Sequence, residues 1–337
     1  MSMAFIAILM IITQTSCDKQ IYDDLEACPR GVNLRFVYDY NMLYANAFHT
    51  QVDCLTLYIY DKEGNFVNSI TETTEVLQDE NYRMQVDLPK GEYHIVAYGG
   101  LACEKASFSL VTPQSRTSLL SLQVEMEHQS YTSAKKLHDM FFGAIDVTVE
   151  EELYQDYTLH MMRNTNNIRI VLQQLNGKEV SPKDFTVSIM DDNTLLAHDN
   201  AIIPTRNISY FPWAQGQMVA GTIGENDEVV KVAYFELSTS RLWLGNSPRL
   251  IIKNNENGAD VVNIPLNQYL LLLKSELYAD MERQEFLDRE YNWSMVFFLD
   301  TKHDWVRTQI VINDWVVRLN HLDILSCVTL NYSHTYF

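Results

Sequence analysis

The stretch VDCLTLYIYDKEGNFVNSI, Val52 to Ile70, decides the fold. Leu55, Leu57 and Ile59 fall on one face, because successive side chains of a strand point to opposite sides. Around Gly64-Asn65 the apolar pattern stops, and a return strand opens at Phe66. Two alternating runs joined by Gly and Asn predict a β-hairpin.

Working outward, the same period recurs. VNLRFVY places Val32, Leu34 and Phe36 on one face and Asn33 and Arg35 on the other. YRMQVDLPKGEYHIVAYGG, Tyr82 to Gly100, repeats the hairpin design with an expected turn at Pro89-Lys90-Gly91. TSLLSLQVEM, AIDVTV, YTLHMMR and NIRIVLQQL follow at regular spacing with no long helix between them. A second cycle holds DFTVSIMDD, MVAGTI, EVVKVAYFELSTSRLWL, PRLIIKN and DVVNIPL, and two late strands are expected in WSMVFFLD and TQIVINDWVV. Evenly spaced strand-length runs of this kind predict antiparallel sheets packed as sandwiches.

A chain of 337 residues exceeds what one hydrophobic core usually supports, so two domains are expected. The break falls near Asn164–Asn167, giving an N-terminal sandwich over 31–164 and a C-terminal one over 165–320. One segment interrupts the β pattern. NQYLLLLKSELYADMERQEFLDREY, Asn267 to Tyr291, has no Gly or Pro and is rich in good helix formers. It predicts a short helical insertion late in the second domain. Leu270, Leu273 and Leu277 are expected to face the core, and Asp280 to cap a second short helix ending near Arg289.

The start has its own logic. In AFIAILMIITQTSCDKQ, nine apolar residues from Ala4 to Ile12 are too few to span a bilayer but suit the core of an export signal. Small and polar residues then lead to Cys17, as in a bacterial lipoprotein signal, where the cysteine is acylated and the chain is cut just before it. Residues 1–16 are therefore read as signal and 17–30 as an acidic tether. No Lys or Arg precedes the apolar run, and Gln14 stands where Leu is usual. The competing reading is an ordinary secretory signal in which Cys17 is incidental. Two or three buried acyl chains, at about 0.8 kcal/mol per CH₂, would hold the protein at an outer membrane.

Charge and cysteines set further bounds. A net charge of −19 with no basic stripe argues against a nucleic-acid partner. Cys28, Cys54, Cys103 and Cys327 remain after Cys17; export permits disulfides, and Cys54 with Cys103 is the favoured pair because both sit in or beside strands of one predicted domain. The alternative is four free, buried thiols. Wide spacings and the absence of Cys-x-x-Cys argue against a metal site.

The chain carries no motif for catalysis or a cofactor: no Gly-x-Ser-x-Gly, no phosphate-cradling Gly-Lys loop, no His-Glu-x-x-His and no dinucleotide glycine fingerprint. His138-Asp139 and His303-Asp304 are neighbours whose side chains would diverge on a strand. MDDN (Met190 to Asn193) and NNENGAD (Asn254 to Asp260) offer oxygen ligands without a calcium register and are read as hairpin turns. Tyr38, Tyr40, Tyr44, Tyr58 and Tyr60 cluster early. Exposed, they would make a glycan-stacking platform; half-buried, they are ordinary strand residues, and the second reading is preferred.

Several blocks together resemble the anchor and minor-subunit lipoproteins of Bacteroidetes fimbriae of the type V kind. They are CPRGVNLRFVYDYNMLYANAFHTQVDCLTLYIYDKEGNFV, GEYHIVAYGGLACEKASF, HDMFFGAIDVTV, RNTNNIRIVLQQLNG, YLLLLKSELYADMERQEFLDREYNWSMVFFLD and IVINDWVVRLN, in that order. The resemblance implies an all-β fold of two tandem transthyretin-like β-sandwich domains, no catalysis and no cofactor. It implies an outer-membrane lipoprotein that joins fimbrial shaft or accessory subunits to the cell. Shaft subunits of this kind are cut after an arginine, lose their first strand and accept a strand from a neighbour. Arg30, in CPRGV, is the position to inspect for such a cut; in an uncut anchor it is a solvated turn residue, which is the preferred reading. Chains of that family usually end soon after the position of Trp315, yet residues 321–337 continue here as HLDILSCVTLNYSHTYF. Leu322, Ile324, Val328 and Leu330 alternate there with more polar residues, as a donor strand for a neighbouring subunit would; an extra edge strand or a loose end is the alternative. A surface glycan-binding lipoprotein is the rival function.

Overall fold

A computed structural model describes residues 30–150, 153–223, 228–274, 278–312 and 315–320. The first half contributes β1 (Gly31–Val37), α1 (Phe48–Gln51), β2 (Leu55–Asp61), β3 (Phe66–Glu72), β4 (Met84–Asp87), β5 (Gly91–Gly99), β6 (Phe108–Leu110), β7 (Gln123–Met126), β8 (Thr132–Ser133), β9 (Phe141–Val149), β10 (Tyr154–His160) and β11 (Met162–Arg163). The second contributes β12 (Thr165–Gln174), β13 (Phe185–Asp191), β14 (Leu195–Ala197), β15 (Ile202–Ile203), β16 (Ile208–Tyr210), β17 (Ala214–Ile223), β18 (Glu228–Ser240), β19 (Arg249–Asn254) and β20 (Asp260–Pro265). It ends with α2 (Leu266–Leu271), α3 (Arg283–Arg289), β21 (Asn292–Leu299), β22 (Trp305–Ile312) and β23 (Trp315–Asn320). The protein is all-β, built of packed sheets, with its longer helices confined to one late insertion.

Two sheets enclose the first core. One has the order β10-β1-β4 and the other β11-β9-β5-β2-β3. Val32, Leu34 and Phe36 meet Leu55, Leu57, Ile59 and Ile95 between them, all essentially buried. The hairpin over Val52–Ile70 forms, with β2 antiparallel to β3 from Leu55↔Glu72 to Tyr60↔Phe66. Gly64 at its turn has φ +80°, a backbone conformation glycine adopts without steric cost.

Sheets β17-β18-β12-β21-β22-β23 and β20-β19-β13-β16-β8 enclose the second core, where Ile168, Ile170, Val187, Ile189, Phe235, Leu250 and Ile252 are buried. A fifth sheet, β15-β14-β7-β6, takes two strands from each half: Leu195, Leu196 and Ala197 of β14 pair with Glu125, Val124 and Gln123 of β7. β8 likewise pairs with β16. Strand pairing therefore crosses residue 164. The outer face of the hairpin sheet is buried too, since Tyr58, Tyr60, Val96, Tyr98 and Phe142 join the same cluster as Phe108, Val124 and Ile168.

The structure corrects several expectations. β4 and β5 do not pair with each other: β4 pairs with β1, and β5 lies between β2 and β9. Met84, Val86 and Leu88 face the same core as Tyr93, Ile95 and Ala97 from the opposite sheet, so Pro89–Gly91 arches over the end of the core. The sheets are mixed, because β1–β10, β12–β21 and β8–β16 are parallel pairs; alternation encodes faces, not strand direction. TSLLSLQVEM begins with a 3₁₀ turn at Leu119–Ser121, and only Gln123–Met126 is strand. MDDN is not a hairpin turn. It carries the chain from β13 in one sheet to β14 in another, with Asp191 and Asn193 buried. Asp280 caps nothing: α3 starts at Arg283 with Glu282 at its N-cap and no side-chain cap bond. Leu270 and Leu273 are buried as expected, and Leu277 lies outside the described residues.

Candidate functional site

β1 is the first described strand and begins directly after Arg30. It is a central strand, paired in parallel with β10 from Gly31↔Tyr154 to Val37↔His160 and antiparallel with β4 from Gly31↔Asp87 to Leu34↔Met84. Its inward side chains Val32, Leu34 and Phe36 are at most 3 % exposed, and the Phe36 ring stacks on Phe48 at 5.5 Å. Burying side chains of this size is worth about 1.5–3 kcal/mol each. The slot that β1 occupies is an apolar trough flanked by two strand edges, and the chain fills it with its own residues.

The entry to the slot is tight. A Cβ on Gly31 would sit 1.9 Å from the Val86 carbonyl oxygen, so only glycine lets β1 approach β4 there. Arg30 lies just before, and its carbonyl oxygen accepts the Leu88 N–H at 3.2 Å. Hydrolysis after Arg30 would release residues 1–30 and leave β1, which starts at Gly31, inside its sheet. A cut at this arginine does not open the trough.

The other predicted positions separate clearly. Cys54 and Cys103 are joined by a disulfide with Cα atoms 5.5 Å apart, tying the start of β2 to the loop after β5. Cys17, Cys28 and Cys327, and the donor-strand residues Leu322, Ile324, Val328 and Leu330, lie outside the described residues. Among the described residues, Asp53, Cys54 and Cys103 are the one group of ligand types drawn together, and both its sulfurs are committed to the disulfide. His138 turns to Asp53 at 3.0 Å while Asp139 pairs with Arg163, so the adjacent pair serves two different partners. NNENGAD is the β19–β20 turn, closed by Gly258 N–H donating to the Asn254 carbonyl at 2.8 Å.

The early tyrosines do not form a platform. Tyr38, Tyr58 and Tyr60 are buried. Tyr40 and Tyr44 hold the Arg289 guanidinium of α3 between their rings, at 4.1 and 4.4 Å. Arg289 also donates to the carbonyls of Asp39 and Asn41 at 3.3 Å. Arg163 lies over the Tyr291 ring at 4.1 Å and donates to Gln51 at 3.4 Å. The Arg289 contacts fasten the segment after β1 to the helical insertion and the Arg163–Tyr291 contact fastens β11 to it, each cation–π pair worth about 0.5–2 kcal/mol. Sequence reasoning missed them, as it missed Gly31, because the partners lie far apart in the chain.

Comparisons with known proteins fit this geometry. The family model described as fimbrillin-A associated anchor proteins Mfa1 and Mfa2 matches residues 25–321. A crystal structure of a candidate adhesin from Bacteroides thetaiotaomicron is 51 % identical, with TM-score 0.83, covering 88 % of this chain and 100 % of its own. A second protein of that species, described as a candidate polysaccharide-binding protein, is 29 % identical, with TM-score 0.75, covering 88 % of this chain and 99 % of its own. The fimbrial anchor protein Mfa2 of Porphyromonas gingivalis is 14 % identical, with TM-score 0.64 over 87 % of this chain and 100 % of its own, and so shares the fold. No curated protein matches the chain.

Proposed function

Since the chain belongs to the family of fimbrillin-A associated anchor proteins Mfa1 and Mfa2, we propose that it is a non-catalytic surface lipoprotein that holds a fimbria to the outer membrane through contacts with shaft or accessory subunits. Cys17 carries the lipid, residues 17–30 form the tether, and two sandwich units over 31–164 and 165–320 form the body. Subunit contact runs through sheet edges, where a partner strand satisfies unpaired backbone groups. The observation that supports this reading is that β1, which begins at Gly31, is a central strand paired on both sides in its own sheet. A cut after Arg30 would detach such an anchor, so Arg30 stays uncut in the working protein.

The rival role, glycan binding, needs a row of exposed rings. Among the described residues, Tyr44 and Trp213 are the exposed aromatics, and each is engaged by a cation, Arg289 and Lys136 respectively. The test is deletion of the gene. Fimbriae shed into the medium are expected; fimbriae that stay on the cell but change at their ends would assign the protein to the tip instead.

A further inference from the structure

β17 is the outermost strand of the six-stranded sheet, with β18 on one side and, among the described residues, no strand on the other. The other edge strands of at least 4 residues each carry a charge: Asp156 on β10, Asp87 on β4, Glu72 on β3, Asp260 on β20 and Arg318 on β23. The ten residues of β17, AQGQMVAGTI, include no charge and no proline, in a chain that carries 44 acidic residues and a net charge of −19. Proteins ordinarily guard a free edge with lysines, prolines or inward charges, because an open strand is a template for another chain. β17 has none of these guards over Ala214–Val219; the pairing irregularity with β18 comes only after Val219. Met218 and Val219 are 41 % and 60 % exposed. The strand is braced in place, since the Gln217 amide donates to the Val180 carbonyl and to Glu179, each at 2.8 Å.

Charge decides what pairs with such an edge. An acidic strand is repelled by the body, and a basic strand finds no counter-charge on β17 itself. A second β17 carries neither sign. In a two-fold pair every residue occurs twice, so any charge on the strand is doubled in the strip of contact. On β3, β10 or β20 that would crowd acid with acid, which is destabilising across strands. On β17 it crowds nothing. The apolar surface matches as well. Met218 lies opposite Val232, which clusters with Val171 and Val230, and a second copy would continue that cluster across the joint.

We propose that β17 pairs antiparallel with β17 of a second copy of this chain. The contact is isologous, the same strand lying on both sides of a two-fold axis, so it closes at two copies and does not propagate. It joins the six-stranded sheets of the two copies into one continuous sheet. The run Ala214–Val219 against its own copy is a small interface, below the roughly 1,200 Å² of a standard one, so the contact is weak and reversible. Two bodies of charge −19 repel, and screening over about 8 Å at physiological salt lets the neutral edges meet. The contact is separate from the β1 slot, which is filled, and it does not rest on the anchoring role.

Sedimentation velocity on the full chain in detergent tests this. The unaltered chain is expected to form dimers and no larger species, with a Kd of about 10–100 µM, and to associate more tightly as salt rises from about 20 mM to about 500 mM. Met218→Lys and Met218→Glu are each expected to weaken association by about tenfold or more. An equimolar mixture of the two is expected to associate more tightly than either alone, because opposite charges then face each other across the axis. Val67→Lys, on the edge strand β3, and a chain ending at Asn320 are expected to associate as the unaltered chain does. If the Met218 variants melt earlier than the unaltered chain, Val219→Lys and Val219→Glu replace them. An unaltered chain that stays monomeric to about 300 µM, dimers that weaken as salt rises, a mixture no tighter than its separate variants, or loss of association on truncation would each overturn the proposal; the last outcome would assign the contact to the tail instead of the edge.

Discussion

Asp191 shows what a residue deep in the second core costs. It is 3 % exposed, one carboxylate oxygen accepts from Asn246 at 3.0 Å and from Asp192 N–H at 2.8 Å, and the other oxygen has no partner. Burial pushes its pKa up from 3.8 to about 6, against the lowering effect of those hydrogen bonds. A carboxyl whose folded pKa lies above its unfolded one destabilises the fold wherever it must ionise. The penalty is complete above pH 6, amounting to about 3 kcal/mol, and it fades as pH falls from 6 towards 4. Asp191→Asn is therefore expected to gain about 2 kcal/mol relative to the unaltered chain between pH 4.5 and pH 8, read from urea midpoints at the two pH values. A constant difference would mean that Asp191 does not titrate in this range. Nothing in MDDN announced this, because a sequence reports that an aspartate is present and not which core it enters. Arg241 is a similar case: its bidentate pair with Asp288 at 2.8 and 2.7 Å joins residues 47 positions apart.

At the scale of elements, strand existence was legible and strand partnership was not. The Val52–Ile70 hairpin could be read because its turn and both arms are local and their period is two. β4 and β5 have the same local signs, yet they separate, because the competition among β1, β2 and β9 for their edges is decided by residues up to 58 positions away. The parallel partners of β1 and β12 were invisible for the same reason. Gly31 is the element-level test. Gly31→Ala must push β1 off the Val86 carbonyl, and a loss of about 3 kcal/mol or more is expected, measured by chemical denaturation. An unchanged midpoint would show that β1 can be seated without the close approach. The helical insertion was legible as well, with its second short helix ending at Arg289, but the start of that helix was misplaced: it begins at Arg283 after Glu282 rather than after Asp280.

At the scale of the molecule, composition argued against nucleic acid and the order of the family blocks pointed to the fold, while the pairing of β6, β7 and β8 with strands of the second half could not be foreseen from either. On the proposed reading the membrane holds one sulfur, and Cys17→Ala is expected to move the protein from the membrane fraction to the soluble fraction with its fold intact; retention in the membrane fraction would sink that role for the cysteine. The placement of β1 has a mechanical consequence for such a tether. Tension arriving at residue 30 runs along the strand axis, across hydrogen bonds that lie perpendicular to it on both flanks. The bonds to β4 and β10 are thus loaded in shear and share the pull, where an edge strand would unzip one bond at a time. A fibre tugged by flow would strain its subunit joints before it drew this strand from its sheet.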